Sequence, residues 1–498
     1  MGEKTDKNNL LAAFMVPHPP MIVPAVGRGS EKTVEETTRA YEKVADEIAA
    51  LKPETIIITS PHSIMYSDYF HISPGRHASG DFGGFGAPQV KFDVDYDTEL
   101  VDRICEIADR KGFPAGRLGE RDKKLDHGTM VPLWFITQKY DDFKLVRCGL
   151  SGLGLTDHYR LGMMMRQAIE ESGRRTVIVA SGDLSHKLKE SGPYGFAPEG
   201  PQYDEKIMDV CSRAAFGELF DFESDFCEKA AECGHRSFVI MAGAFDGEDV
   251  EAERLSHQDV TGVGYGVCIF KPCTADFSPC TCDEENNSDR AEGTKDLISA
   301  DEKKEAEDRH FLDRYLEKVE RELSGTVRTE DPYVKLAYRS LTSYILHNKK
   351  ITIPDGLPAD MLNTRAGAFV SIHKNGDLRG CIGTTAPTTA SVAQEIINNA
   401  ISASTEDPRF NPVTPDEIRH LEINVDVLGE AESIDSPDEL DVKKYGVIVS
   451  NGSRRGLLLP DLDGVDTVEQ QISIAMKKAG IRPGEKIRLQ RFEVVRHK

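Results

Sequence analysis

Three histidines stand just beyond short apolar runs that read as strands. His18 follows LLAAFMVP, His62 follows TIIITSP and His186 follows TVIVASGDLS. In open α/β sheets ligands gather outside the carboxyl ends of the strands, so three such imidazoles can converge on one point. A single histidine so placed is more often a hydrogen-bonded structural residue; the repeated placement weakens that reading. His127 lies in Leu-Asp-His-Gly-Thr-Met-Val-Pro-Leu, a polar loop entering an apolar helix, where Asp126 has the plain job of capping the helix. Glu232 and Cys233 lie in Ala-Glu-Cys-Gly-His-Arg-Ser-Phe, again before an apolar helix. A buried carboxylate there needs a reason, and metal ligation is one. Two neutral imidazoles and a carboxylate on one face leave positions on a non-haem Fe(II) open to O₂ and a chelating substrate. A separate histidine can then carry the protons of a catechol.

The elements around these residues alternate. Leu10–Val16, Thr55–Thr59, Phe143–Arg147, Thr176–Ala180 and Val263–Phe270 read as strands, with helical spacing over Glu31–Leu51 between the first two. The pattern predicts an α/β domain over residues 1–272, a mixed sheet flanked by helices. Residues 273–325 read as an acidic flexible linker leading into a helix, because PCTADFSPCTCDEENNSDRAEGTKD has almost no aliphatic side chains to bury. Residues 326–498 read as an α+β domain. Its clearest sign is Lys374-Asn375-Gly376-Asp377 between Ala368–His373 and Leu378–Ile382, an Asn-Gly turn between two β-rich runs. A helix over Ala390–Glu406, strands at Glu422–Leu428 and Gly446–Val449, and a helix near Val468–Ala479 follow.

Composition narrows the partners. Of 498 residues, 61 are Lys or Arg against 84 Asp or Glu, a formal charge of −23. Such a surface repels phosphate backbones and anionic lipid, which argues against nucleic acid and membrane. No apolar run is long enough to span a bilayer, and the N-terminal LLAAFMV reads as a buried strand and not as a signal peptide, so the N-terminus is expected to be retained. The ten cysteines show no secreted-scaffold spacing and read as free thiols of a cytoplasmic protein; Cys273, Cys280 and Cys282 lack a fourth partner at zinc spacing. Gly83-Gly84-Phe85-Gly86-Ala87-Pro88 has no Lys-Ser/Thr after it, so it reads as a mobile loop over a pocket and not as a phosphate cradle.

The C-terminal domain offers Leu378-Arg379-Gly380-Cys381-Ile382-Gly383. Arg379, two residues before Cys381 on one strand face, would lower its thiol pKa and make it nucleophilic. The plainer reading, a small residue in a hairpin whose glycines permit close packing, is preferred. His373 would act as a base only if the hairpin register brings it near, and His497 at the terminus is expected to be solvated.

The PHPP at 17–20, SPH at 60–62, DHG at 126–128, SGDLSH at 181–186 and ECG at 232–234 occur in the order of LigB-like class III extradiol dioxygenases, and the resemblance spans residues 10–272. It implies an Fe(II) enzyme, or one of another divalent metal, acting on a small aromatic molecule. His18, His62 and Glu232 would be ligands, His186 the acid/base, His127 a residue near the substrate, and Asp183 the group that orients His186. The chain also resembles the Memo family, a LigB relative in which a Cys-Gly pair occupies the third-ligand region, so Cys233 is the alternative to Glu232. Glu232 is preferred because a carboxylate suits Fe(II) and O₂, whereas a thiolate is open to oxidation. Residues 330–495 resemble the AMMECR family through the motif at 378–383, with Arg365–Val370, Glu406–Phe410 and Arg455–Pro460. The pairing resembles the AmmeMemoRadiSam set, which implies a radical-SAM protein partner; no C-x₃-C-x₂-C motif occurs in this chain. Three readings stay open: a ring-cleaving dioxygenase, a metal enzyme of another kind on the same fold, and a non-catalytic metal-binding module. An oligomer is compatible with each.

Overall fold

The computed structural model describes residues 8–119, 124–273, 310–326, 329–462 and 464–498. The chain divides into two compact units, Met1–Lys318 and Val319–Lys498.

The first unit is built on a six-stranded sheet. Its strands are β1 (Leu10–Val16), β2 (Thr55–Ser60), β3 (Lys144–Gly149), β4 (Thr176–Ser181), β5 (Val250–Gln258) and β6 (Tyr265–Pro272). They lie in the order β3-β2-β4-β1-β6-β5. The first four are parallel, and β6 and β5 add an antiparallel edge. Every residue of β2 and β4 is buried, which is why both read as unbroken β-branched runs: helices cover both faces of a parallel sheet. Helices α1 (Glu35–Leu51) and α2 (His127–Ile136) pack on the face carrying Phe14, Ile56, Ile58, Val177 and Val179. Helices α3 (Leu155–Ser172) and α4 (His235–Gly243) pack on each other against the opposite side.

The Gly-rich stretch at 83–86 is the turn of a β-hairpin, His77–Phe82 with Ala87–Asp95, closed by a 3₁₀ turn over Gly83–Phe85. It is thus a stiffer element than a free loop. Residues 274–309, with Cys280, Cys282 and nearly all of the expected linker, lie outside the described residues; Cys273 is exposed. A helix over Phe311–Thr326 follows.

In the second unit a seven-stranded antiparallel sheet contains β7 (Ala368–Lys374), β8 (Asp377–Gly383), β9 (Leu421–Leu428), β10 (Tyr445–Asn451), β11 (Arg454–Leu458) and β12 (Arg488–His497), ordered β8-β7-β9-β12-β10-β11, with the short strand Glu432–Ile434 also paired to β12. The Asn375-Gly376 turn is present, with φ of 53° and 88°. Two successive positive φ values are what a tight hairpin with the native strand twist needs. Helix α5 (Val392–Thr405), N-capped by the Ser391 side chain, packs on β7 and β8. The unit is α+β, as expected.

Candidate metal centre

Strands β2, β4 and β1 are neighbours in the sheet, so the segments that leave their carboxyl ends lie side by side. His18 follows β1 by two residues, His62 follows β2 by two, and the 182–186 loop leaves β4 between them. Asp126 caps α2, accepting from the Thr129 N–H at 3.0 Å, and also accepts from Ser60 Oγ at 2.6 Å. That pair ties the start of α2 to the end of β2 and brings His127 beside His62. The His127 ring centroid lies 4.0 Å from that of His62 and 5.4 Å from that of His18.

The donor atoms converge. His18 Nε2 and His62 Nε2 are 3.0 Å apart, and Cys233 Sγ lies 3.6 Å from His18 Nε2. The donors of His18, His62 and Cys233 all lie within 4.8 Å of one another. The hydrogen-bond network assigns the His18 proton. Ser181 Oγ donates to the Gly128 carbonyl at 2.6 Å, so toward His18 Nδ1, 3.0 Å away, it accepts. His18 therefore carries its proton on Nδ1 and turns a bare Nε2 toward His62 and Cys233, as a ligating imidazole must.

Burial sets the electrostatics. It lowers the pKa of His18 well below the usual value, with further lowering from His62, His127 and His186. His62 is lowered by burial, and Asp126 opposes the shift. Burial, then His62, brings His127 down to about 4. Burial pushes the Cys233 thiol well above its usual range, with Asp183 and Glu232 adding to the shift. Neutral imidazoles offer lone pairs, and a half-buried thiol with a raised pKa ionises when a cation binds it. The donor set fits a divalent ion: two nitrogens at bonds of about 2.1 Å in adjacent positions stand about 3 Å apart.

Glu232 and Cys233 diverge. Glu232 Oε2 accepts from the His235 N–H at 2.6 Å, at the start of α4. A carboxylate is held there by the free N–H groups and the positive end of the helix. Cys233, the residue ranked second on the sequence, is the one that meets His18 and His62. Asp183 also differs from its expected role. Its Oδ1 accepts from the His18 backbone N–H at 2.7 Å, while Oδ2 is 3.9 Å from His186 Nε2, too long for a hydrogen bond. The Tyr194 ring stacks on His186 at a centroid distance of 5.0 Å. Asp183, His186 and Cys233 form a second close set of donors.

Two glycines set this spacing. A Cβ on Gly182 would stand 2.1 Å from Gly234 Cα, so the loop after β4 and the turn before α4 touch backbone to backbone. Phe85 sits 5.4 Å from the His127 ring, and both Phe85 and Tyr194 are exposed. Tyr194 carried no sequence signal; Phe85 was marked only by its Gly-rich stretch and Ser181 only as the first residue of SGDLSH.

In the C-terminal unit Cys381 lies opposite Ser371, whose hydroxyl donates to Sγ at 3.3 Å. Arg379 does not serve the thiol. Its guanidinium pairs with Glu417 at 2.8 Å and donates to the carbonyls of Asn411 and Pro412. The arginine beside Cys381 is Arg409, which is bidentate on Asp407 and reaches the Cys381 carbonyl. His373 is paired across from Leu378 and Glu422, two register positions from the Ser371–Cys381 pair. His497 is not solvated: its Nδ1 is 2.8 Å from Asp331 Oδ2 and its ring stacks on Tyr333.

Comparison with known proteins follows the same division. The family model for the catalytic LigB subunit of aromatic ring-opening dioxygenase matches residues 12–268, and the AMMECR1 model matches residues 334–497. A protein of Clostridium acetobutylicum is 39% identical over 493 residues, covering 97% of this chain and 98% of the relative. A protein of Thermotoga maritima is 51% identical over 171 residues, 34% of this chain and 98% of the relative. The 2-aminophenol 1,6-dioxygenase beta subunit of a Pseudomonas species is 26% identical over 283 residues, 52% of this chain and 92% of that one. The chain therefore belongs to the family of the catalytic LigB subunit of aromatic ring-opening dioxygenases, joined in one polypeptide to an AMMECR1 domain.

Proposed function

We propose that the N-terminal domain is a metal-dependent oxidoreductase acting on a small planar aromatic with adjacent hydroxyl or amino groups. The ion, Fe(II) by family likeness, is held by His18, His62 and Cys233. The observation that carries this reading is the convergence of those three donor atoms at the ends of adjacent parallel strands. When bound, the ion supplies a Lewis-acidic, redox-active centre with positions open to a chelating substrate.

The chain's own residues do the rest. Ser181 holds the His18 tautomer. His127 and His186 are imidazoles outside this ligand set, and burial brings both down to about 4. Each is neutral near pH 7 and able to take a proton from a substrate hydroxyl. Phe85, beside His127, and Tyr194, beside His186, offer exposed aromatic rings on which a planar substrate can stack. The likeness to a 2-aminophenol dioxygenase subunit supports an aromatic substrate.

The test is anaerobic loading with Fe(II), then O₂ with a panel of catechols and 2-aminophenols. A yellow ring-opened product is expected; no turnover on any of them rejects ring cleavage. The thiol at the third position favours a second reading, metal chemistry without O₂, which predicts the same metal content and no oxygen uptake.

A further inference from the structure

The helix Glu199–Ser212 lies along β5, and between them is a cavity of about 340 Å³. None of the donors of the metal centre lines it. Its chemistry depends on a β-bulge. Val267 pairs with Ser256 and Cys268 with Arg254, so Leu255 is an extra residue in β5. In an even strand Arg254 and His257, three apart, would point to opposite faces. With the bulge both stand on one face, across from Cys268 and Gly266, while Leu255 packs against the core on the α1 side. A Cβ on Gly266 would stand 2.6 Å from Met208 Sδ, so that face is the one the helix covers.

We propose that this cavity binds a free α-amino acid with an apolar side chain, its carboxylate on Arg254 and its ammonium between Glu205 and His257. The site is independent of the ligand set proposed above. Arg254 and Glu205 are exposed, and neither side chain has a hydrogen-bond or ion-pair partner among the described residues. Two other carboxylates at the cavity are engaged, Asp209 by Arg213 at 2.6 Å and Asp259 by Lys189 at 3.4 Å. Asp204 is buried. Its Oδ1 accepts the Ser185 N–H at 2.8 Å, and its Oδ2 lies 2.9 Å from His257 Nε2. A carboxylate only accepts, so Nε2 carries the ring proton and Nδ1 keeps its lone pair. That nitrogen has no partner among the described residues and can accept from an ammonium. A doubly charged phosphate would meet these carboxylates around a single guanidinium. A zwitterion instead meets Arg254 with its anion and Glu205 with its cation. Leu188 and Met208 line the same cavity and give an apolar side chain its wall.

The test is calorimetric titration of the full chain, stripped of metal by a chelator, with L-leucine, L-methionine and L-phenylalanine. Saturable binding of one molecule per chain is expected for at least one of them. The amide of the best binder lacks the carboxylate, and its N-acetyl derivative lacks the ammonium. Each should bind about tenfold more weakly or worse, as the loss of one charged contact does. Arg254→Ala and Glu205→Gln should weaken binding by a similar factor. Both residues are exposed, so circular dichroism should show wild-type melting in each. His257→Gln should bind weakly too; where it melts early, the other two variants decide. His18→Ala should bind as wild type does. No saturable binding of any probe, equal binding of the amide or the N-acetyl derivative, or wild-type affinity in Arg254→Ala overturns the proposal. Binding lost in His18→Ala would put the amino acid at the metal centre and overturn it as well.

Discussion

Ser181 Oγ stands 3.0 Å from His18 Nδ1 with its own proton committed to the Gly128 carbonyl, so the serine can only accept from the imidazole. Ser181→Ala removes that acceptor and frees the His18 ring to change tautomer. Partners of metal-bound histidines are typically worth roughly 10- to 100-fold in affinity, and a loss of that size is expected in competition with a chromophoric chelator. Unchanged affinity would mean that the His18 tautomer is set elsewhere.

Glu232 and Cys233 should respond in opposite ways. Cys233→Ser abolishes the sulfur-to-cobalt band of the Co(II)-loaded protein. Glu232→Gln keeps the band and instead loosens the start of α4, costing about 1 kcal/mol, as the loss of a helix cap does. Absorption spectra and denaturant midpoints of the two variants check this. A band lost in Glu232→Gln would return the carboxylate to the metal.

Phe85→Ala and Tyr194→Ala should weaken binding of an aromatic ligand without changing metal content. Loss of one stacking face costs about 1 kcal/mol, roughly fivefold in the dissociation constant for 2-aminophenol or catechol. Calorimetry beside metal analysis separates the two effects. Equal binding by both variants would place the substrate away from these two rings.

His158 predicts an acid limb of stability. It is fully buried, its Nδ1 lies 2.9 Å from the Gly154 carbonyl, and burial brings it from 6.5 down to about 3. The unfolded chain therefore takes up a proton that the folded one refuses. The contribution is intact above pH 6.5 and is lost as pH falls toward 3, by up to about 1.4 kcal/mol per pH unit. His158→Gln should have a shallower dependence by one proton. Urea unfolding followed by Trp134, the single tryptophan, at pH 7 and pH 5 measures it. Parallel pH profiles would contradict the assignment.

Arg379→Ala should destabilise the C-terminal unit, because it strips a buried carboxylate, Glu417, of its bidentate partner. Breaking such a pair costs about 3 kcal/mol. Faster hydrogen exchange over residues 377–383 and 414–420 is the expected sign, and protection equal to wild type would show the pair to be dispensable.

What the sequence disclosed, and what it withheld, follows from the reach of each signal. β2 and β4 were legible because burial on both faces forces unbroken β-branched runs, and the hairpin at 374–377 because Asn375 and Gly376 tolerate the conformation it needs. His18 and His62 were legible because their placement follows from the strand ends. Choosing between Glu232 and Cys233 was not, since a loop of irregular φ and ψ carries no period to say which side chain turns inward; in the structure the carboxylate meets the start of α4 and the thiol meets His18. Arg379 illustrates the same limit. Proximity along a strand suggested the Cys381 thiol, but a partner 38 residues away, Glu417, holds the guanidinium instead.

The contact of Gly182 with Gly234 bears on how this pocket can vary. Neither position has room for a methyl group, so a library randomised across both loops should return glycine at these two sites and diversity beside them. Evolution and engineering alike are left to exchange the donor atoms, thiol for hydroxyl or carboxylate for amide, within a frame whose dimensions do not change.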